Sequence, residues 1–203
     1  MNNYDLRKIK ELFARIFVLA VQNKINFDSF TYLLERSLFV RKIEKNEYDD
    51  YFNKSLIEIF QDITNLQINE DNSFGIFNDA YWCGYSYFDI YLSKKKSFAF
   101  IFLKLPFKTM IEVYSIFHEM DISSLLSYFD SLDQKKTILR LLCEKKRCSL
   151  TKLSNSTGIN PATIAKYNSS DELLYKASFQ NIFAIAKFFD SPISLFATTI
   201  ISE

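Results

Sequence analysis

The chain has 203 residues, of which 48% are hydrophobic and 24% are charged, so its composition is that of a folded protein and excludes a disordered one. Three glycines and three prolines are too few for an all-β fold with many tight turns, and they favour helices joined by short links. The 21 Phe and 12 Tyr residues predict a thick aromatic core.

The cysteines and the apolar runs predict where the protein acts. Cys83, Cys143 and Cys148 are an odd number and contain no CxxC pair, which favours a reducing compartment over a disulfide framework. The first residues lack the pattern of a secretory signal peptide. The longest apolar run, Phe98 to Leu103, is far shorter than the roughly 20 residues that span a bilayer. We therefore expect a cytoplasmic protein with no membrane contact.

Helical spacing of apolar residues organises the first part of the chain. It predicts an amphipathic helix from Leu6 to Val21. Asp28 is the expected N-cap of a second helix that reaches about Ile43, and a third helix is expected from about Tyr51 to Leu66. The turn-forming residues of Gln67 to Phe77 predict a loop.

The middle of the chain predicts the central helices. Asn78 to Leu92 is so aromatic that a helix there would be apolar nearly all round and would lie in the core. The run Ser97 to Leu105 has no partner strand and is expected to be helical. A further helix is predicted from Phe107 to Met120, and Asp121 is the expected cap of the next one.

Charge divides the chain near residues 131–136, which we predict to be a domain boundary. Residues 134–203 hold 10 Lys/Arg against 5 Asp/Glu, whereas residues 1–133 hold 15 against 19. A basic carboxy-terminal module has the charge expected of a domain that approaches phosphates. The predicted organisation is a helical partner-binding domain, 1–133, followed by a helix-turn-helix domain, 134–203.

The stretch from Cys148 to Phe196 carries the pattern of a helix-turn-helix. Gly158 follows an apolar-periodic run and is expected to end a helix with positive φ. Asn160 and Pro161 then supply an N-cap and a first helical residue. Ser154 is small enough for two helices to cross closely. The residues expected to face inward are Ile159, Ile164 and Tyr167.

Further apolar periodicity from Phe179 to Phe189, and a short run after Pro192, complete the predicted domain. The expected fold is all-α, with an aromatic-rich amino-terminal domain and a five-helix repressor-type domain. The alternative for this stretch is an ordinary helical hairpin with a lysine-rich surface.

The candidate DNA-binding residues lie around this turn. The basic cluster before it and the lysines near it would contact phosphates, whereas Asn160, Ala162, Thr163 and Lys166, exposed at the start of the helix after Gly158, would meet base edges. The predicted DNA-binding residues are Lys145, Lys146, Arg147, Thr151, Lys152, Asn160, Ala162, Thr163 and Lys166.

No catalytic, metal or cofactor site is expected. His118 is the single histidine and stands beside Glu119 and Asp121, but a metal site needs three or four converging ligands. The chain has no glycine-rich phosphate loop and no nucleophile elbow. We expect a non-enzyme in which His118 has a structural role, and the alternative is acid/base catalysis at His118.

The carboxy-terminal stretch resembles the phage-repressor (XRE-like) type of helix-turn-helix domain. The matching residues are Leu153, Ser154, Gly158, Ile159, Thr163 and Ile164. The chain departs from that pattern at Leu150, where the family often has a DNA-contacting glutamine, and at residues 168–170, where it often has Glu-Asn-Gly. The resemblance implies DNA binding, commonly by a two-fold homodimer.

The amino-terminal part resembles a group of bacterial proteins in which similar segments precede such a domain. The matching residues are Tyr81, Trp82, Gly84, Tyr85, Pro106 and the string His118 to Ile122. Those proteins tend to be encoded beside small ADP-ribosyltransferase-like proteins. The resemblance implies an antitoxin or operon regulator with a cognate toxin as a partner. The rival hypothesis is an interaction module that grips a toxin or a second copy of itself and no longer binds DNA.

Overall fold

The computed structural model describes residues 3–68, 77–133 and 136–196. In these ranges the chain is all-α, as predicted, with fourteen α-helices, two short 3-10 helices and no strand. The helices in chain order are α1 Asn3–Gln22, α2 Phe27–Arg36, α3 Leu38–Glu44, α4 Leu56–Thr64, α5 Asn78–Lys94, α6 Phe98–Lys104, α7 Phe107–Glu112, α8 Tyr114–Phe117, α9 Ile122–Asp133, α10 Ile138–Lys146, α11 Leu150–Thr157, α12 Pro161–Ser169, α13 Asp171–Tyr175 and α14 Phe179–Phe189. The 3-10 helices are Asp49–Asn53 and Ile193–Phe196. None of these helices is long and apolar enough to cross a membrane.

The centre of the fold is the pair α1 and α5, which pack along each other. Gly84 makes the close approach possible, because a Cβ atom there would lie 2.7 Å from the Ala14 Cα and 2.8 Å from the Phe17 ring. Aromatic rings fill the surrounding space: Phe13 stacks on Phe98 with centroids 4.6 Å apart, and Phe17 meets Phe107 edge-on at 4.9 Å. The predicted aromatic core is therefore confirmed, with α5 as its central helix.

The predicted second helix is wrong in its cap and in its length. Asn26, and not Asp28, is the N-cap, since its Oδ1 accepts from the backbone N–H groups of Asp28 and Ser29. The helix also breaks at Ser37, whose backbone is extended (φ −63°, ψ 152°). The Ser37 hydroxyl hydrogen-bonds to the end of α2 and to the start of α3, because it donates to the Leu34 carbonyl at 2.7 Å and accepts from Val40 N at 3.1 Å.

The predicted third helix, Tyr51 to Leu66, also divides. A 3-10 helix occupies 49–53, and α4 begins afresh after Ser55 because a capping box joins Ser55 to Glu58. The helix ends at Asn65, which adopts the left-handed conformation (φ 57°). Most of the predicted loop, residues 69–76, lies outside the described residues.

The helix predicted from Phe107 to Met120 is shorter and interrupted. The carbonyl of Val113 accepts from both Ile116 N and Phe117 N, so the backbone tightens there and separates α7 from α8. Helix α8 ends at Phe117, and a turn follows. Asp121 then caps α9 as predicted, since its Oδ1 accepts from Ser123 N at 2.8 Å.

The carboxy-terminal helices α10 to α14 pack on the rest of the chain through α6 and α2. Helix α6 contacts both α10 and the 3-10 helix 193–196, and the buried apolar cluster is continuous across this junction. The predicted boundary, residues 131–136, covers the last residues of α9 and part of the link to α10, of which residues 134 and 135 lie outside the described residues. Whether the parts before and after it are separate domains stays a prediction.

Polar groups fix the same junction at two places. The fully buried side chain of Lys104 donates to the Lys136 carbonyl and lies 3.7 Å from the Asp171 carboxylate. On α2, the Tyr32 hydroxyl donates to Asp190 Oδ2 at 2.6 Å, and the Arg36 guanidinium lies 3.4 Å from the same carboxylate. These contacts join α2 and α6 to residues on either side of α11 and α12.

Candidate nucleic-acid interface

The turn between α11 and α12 is built by Gly158, as predicted. Its backbone is left-handed (φ 72°), and its N–H donates to the Ser154 carbonyl at 2.9 Å. Apart from Gly158 itself and its chain neighbours, no described atom lies within 4 Å of the place where a Cβ would be, so space does not restrict this position. The glycine is needed for its backbone angle, which L side chains rarely adopt.

The start of α12 follows from its first residues. The Asn160 side chain accepts from Ala162 N at 2.8 Å, and Pro161 occupies the first helical position. The first turn of a helix has backbone N–H groups without a partner inside the helix. Asn160 accepts from one of them, and Pro161 has no N–H group that needs a partner. The predicted N-cap and helix start are confirmed.

Ser154 and three apolar residues hold the two helices together. Ser154 is 4% exposed, and its hydroxyl donates to the Ile159 carbonyl at 2.6 Å, a bond that the sequence analysis did not anticipate. Leu153, Ile159 and Ile164 are buried beneath the turn. Tyr167 is half-buried, and its hydroxyl accepts from the Asn181 amide of α14 at 3.0 Å.

The outer surface of α11 and α12 carries most of the predicted DNA-binding residues. Thr163 is half-buried near the start of α12. The exposed members are Thr151, Lys152, Asn160, Ala162 and Lys166.

The charge of this surface has one sign. From Lys145 through Ser170 the chain contains five Lys or Arg residues and no Asp or Glu. The next carboxylate, Asp171, is directed inward, because its Oδ1 accepts from Ile138 N at 2.7 Å. The helix-turn-helix therefore presents cations and neutral polar groups with no carboxylate of its own.

The side chains of the predicted basic cluster, Lys145, Lys146 and Arg147, point in two different directions. The Lys145 ammonium acts on Glu35 of α2, where burial raises the carboxyl pKa and Lys145 opposes that rise. The Lys146 ammonium donates to the Phe188 carbonyl and lies 4.4 Å from the centre of the Phe188 ring. Both lysines are exposed. The charge of Lys145 acts toward α2, and the contacts of Lys146 are with Phe188 of α14.

Arg147 takes the other direction, toward the start of α11. It lines an open cavity of about 410 Å³ together with Arg140, Ser149 and Asn168. Ser149 caps α11, since its hydroxyl accepts from Lys152 N at 3.1 Å. Sequence reasoning missed Arg140, although its spacing of seven residues from Arg147 would have placed both on one face of a helix.

His118 has a stacked, structural environment. Its ring lies 4.4 Å from the ring of Tyr114, and Nδ1 is 2.9 Å from the Tyr114 carbonyl. Nε2 lies 3.5 Å from the Glu119 carboxylate. In the part of the chain that the structure describes, no group of three or more His, Cys, Asp or Glu side chains could hold a metal ion.

Comparisons with known proteins add no relative to this description. No family model, no curated protein and no solved structure matches the chain.

Proposed function

We propose that the chain is a sequence-specific DNA-binding transcriptional regulator, acting as an antitoxin or as the autoregulator of its own operon. In this proposal residues 134–203 bind DNA and residues 1–133 bind a protein partner, without an enzymatic activity. The observation that carries it is the surface of α11 and α12, which Arg147, Lys152 and Lys166 make basic and which contains no carboxylate from residue 145 to residue 170. The resemblance to repressor-type domains supports the same function.

The proposed docking places α12 in the major groove, as the second helix of such motifs lies. Asn160 and Thr163, at its amino-terminal end, would contact base edges, and Lys166 one turn later would reach guanine acceptors. Lys152 and Arg147, beside the start of α11, would contact phosphates. Phosphate contacts set the affinity and its salt dependence, whereas base contacts set the sequence preference.

We expect Lys166→Ala to weaken binding to the DNA upstream of the protein's own gene by about tenfold and to reduce the preference over a scrambled duplex. Lys152→Ala should weaken binding to both duplexes equally and reduce the salt slope by about one. Fluorescence anisotropy across a salt series measures both effects. Lys108→Ala, an exposed lysine on α7, is the matched control and should leave binding unchanged. Failure of the unmodified protein to bind the upstream duplex at low salt would contradict the proposed function.

A second candidate function is an interaction module that associates with a copy of itself or with a toxin. One observation favours it: Phe179 and Phe183 of α14 are 71% and 50% exposed, with ring centroids 6.2 Å apart. Two neighbouring exposed aromatic rings are typical of a contact surface, since large apolar side chains are enriched where proteins meet.

For this candidate we expect the chain to sediment as a dimer and the double variant Phe179→Ser, Phe183→Ser to sediment as a monomer. The control changes Ile116 and Met120 to Ser, because both are also more than half exposed but lie outside α14. A monomeric unmodified protein would exclude self-association. Point variants are preferable to deletion of residues 134–203, because deletion would uncover the buried face of α6.

A further inference from the structure

Two cysteines meet where α10 ends and α11 begins. The Cys148 N–H donates to the Cys143 carbonyl at 2.9 Å, and the Arg147 N–H donates to the Glu144 carbonyl at 3.1 Å. Arg147 between them is left-handed (φ 50°). These bonds define a Schellman motif, which brings the side chains of its first and last residues together. The two cysteines accordingly lie next to each other at this turn, and both line one open cavity.

The two thiols differ in access to solvent. Both line the open cavity of about 410 Å³, but Cys143 is 8% exposed and Cys148 is half-buried. Burial, assisted by the neighbouring Cys148, raises the pKa of Cys143 to about 12. Cys148 is therefore the thiol that a reagent in the cavity meets first, and Cys143 is the second thiol behind it. Cys83 is fully buried and lies in α5, far along the chain from this pair.

The cavity has a charge that suits an anionic reagent. Arg140 and Arg147 line it, and the single carboxylate there, Glu144, is paired with Lys136 at 2.7 Å and with Arg140 at 3.4 Å. Cations beside a cysteine favour its reaction with negatively charged partners. Small cellular disulfides such as oxidised glutathione carry several carboxylates and match this lining.

We propose that Cys143 and Cys148 form a thiol–disulfide modification site whose oxidant is a small anionic disulfide. The Cys148 thiolate attacks one sulfur of the reagent and releases the other half as a thiolate, which takes up the proton lost by Cys148. The Cys143 sulfur, as its proton passes to solvent, then attacks the Cys148 sulfur and expels the second half as a thiolate, which takes up a proton from solvent. The protein loses two electrons and two protons, and the reagent is reduced to two thiols.

The site has a direct route to the helix-turn-helix. Cys148 directly precedes Ser149, the N-cap of α11. Because a disulfide requires a specific separation and dihedral angle of the two residues that it joins, bond formation would constrain the start of α11 relative to the end of α10. We expect oxidation to change the DNA affinity. This consequence rests on the proposed function, whereas the thiol–disulfide chemistry of the site is independent of it.

The full-length protein treated with oxidised glutathione should retain one reactive thiol after unfolding, compared with three before treatment. Peptide mass spectrometry should find Cys143 joined to Cys148, and dithiothreitol should restore all three thiols. Cys143→Ala should stop at a glutathione adduct on Cys148, and Cys148→Ser should keep both of its thiols. Three free thiols in the treated protein, or an adduct on Cys148 that never closes, would overturn the site.

A second measurement separates this site from the proposed function. DNA affinity of the oxidised and reduced proteins is compared on the upstream duplex, with Cys148→Ser treated in parallel. A change in the unmodified protein that is absent from Cys148→Ser supports the coupling, and equal affinities overturn it. Absence of DNA binding in the reduced protein would remove the proposed function while the thiol count still decides the modification site.

Discussion

Lys104→Ala should lower the free energy of unfolding by about 3 kcal/mol, because it removes a cation that is buried at the junction between α6 and the carboxy-terminal helices. The Lys104 side chain is fully buried, so its four-carbon stem packs in the core while its ammonium meets the Lys136 carbonyl and the Asp171 carboxylate. Its loss leaves a cavity and an acceptor without its donor. Urea unfolding followed by circular dichroism measures the change.

A double-mutant cycle separates packing from charge. Lys104→Met retains most of the volume, and Asp171→Asn retains an oxygen that can accept from Ile138 N. The double variant should be more stable than the sum of the single losses predicts, by about 1 kcal/mol or more. Additive losses would show that the ammonium and the carboxylate do not interact. Lys108→Met is the control, since this lysine is 76% exposed and should change stability by less than about 0.5 kcal/mol.

Local chemistry explains which elements the sequence could predict. The amphipathic spacing of α1, the aromatic run of α5 and the Gly158 turn are each determined by a few neighbouring residues, and each was predicted with its observed type. Asp121 likewise caps α9 through a bond to a residue two positions away. Bonds of this range depend little on the rest of the fold.

The errors arose where two local signals compete or where distant residues meet. Asn26 and Asp28 are both good capping residues, so residue type alone does not decide between them. In the fold Asn26 is the cap, and Phe27 and Phe30 of the same helix pack on the core. Ser37 is compatible with a helix interior, yet here it ends one helix and starts another. The contacts of Lys104 and Lys146 join residues 32 and 42 positions apart, and no spacing rule predicts such pairs.

For the candidate site, the sequence predicted the turn and its exposed residues, but not the orientation of the basic cluster. Consecutive residues at the end of a helix point in different directions, and Arg147 is left-handed, so three adjacent cations need not share a surface. The pairing of Cys143 with Cys148 was also missed. No helix end was predicted between the two cysteines, so their spacing of five residues gave no indication that they meet.

Glu44 carries the second large effect, because its carboxyl group lies in the core at the start of α6. The side chain is 6% exposed, and its Oε1 accepts from Phe98 N at 2.9 Å. Burial raises its pKa from 4.5 to about 7, since the hydrogen bond from Phe98 only partly offsets the loss of water and nearby Glu35 adds to the rise. The folded chain therefore binds a proton at Glu44 that the unfolded chain releases near pH 4.5.

The sign of the pH dependence follows from that difference in proton binding. Between pH 4.5 and about 7 the folded state holds more protons than the unfolded state, so stability is greatest at the acidic end and falls as pH rises. Integrated over this interval, the loss is about 3 kcal/mol. Above about pH 7 both states are ionised at this group, and its contribution no longer changes.

Glu44→Gln should remove this part of the pH dependence, because an amide stays neutral and its oxygen can still accept from Phe98 N. We expect the variant to match the unmodified protein near pH 5 and to be more stable by about 3 kcal/mol near pH 8, measured by urea unfolding at both values.

Glu47→Gln makes the same chemical change at an exposed position three residues along and should leave the original pH dependence in place. Burial also raises the pKa of Glu35, so the stability of Glu44→Gln should still depend on pH to some extent. The contribution of Glu44 is the difference between the stability–pH curves of the unmodified protein and of Glu44→Gln. Parallel curves for the variant and the unmodified protein would mean that the buried carboxyl group is hydrated or paired well enough to ionise without cost.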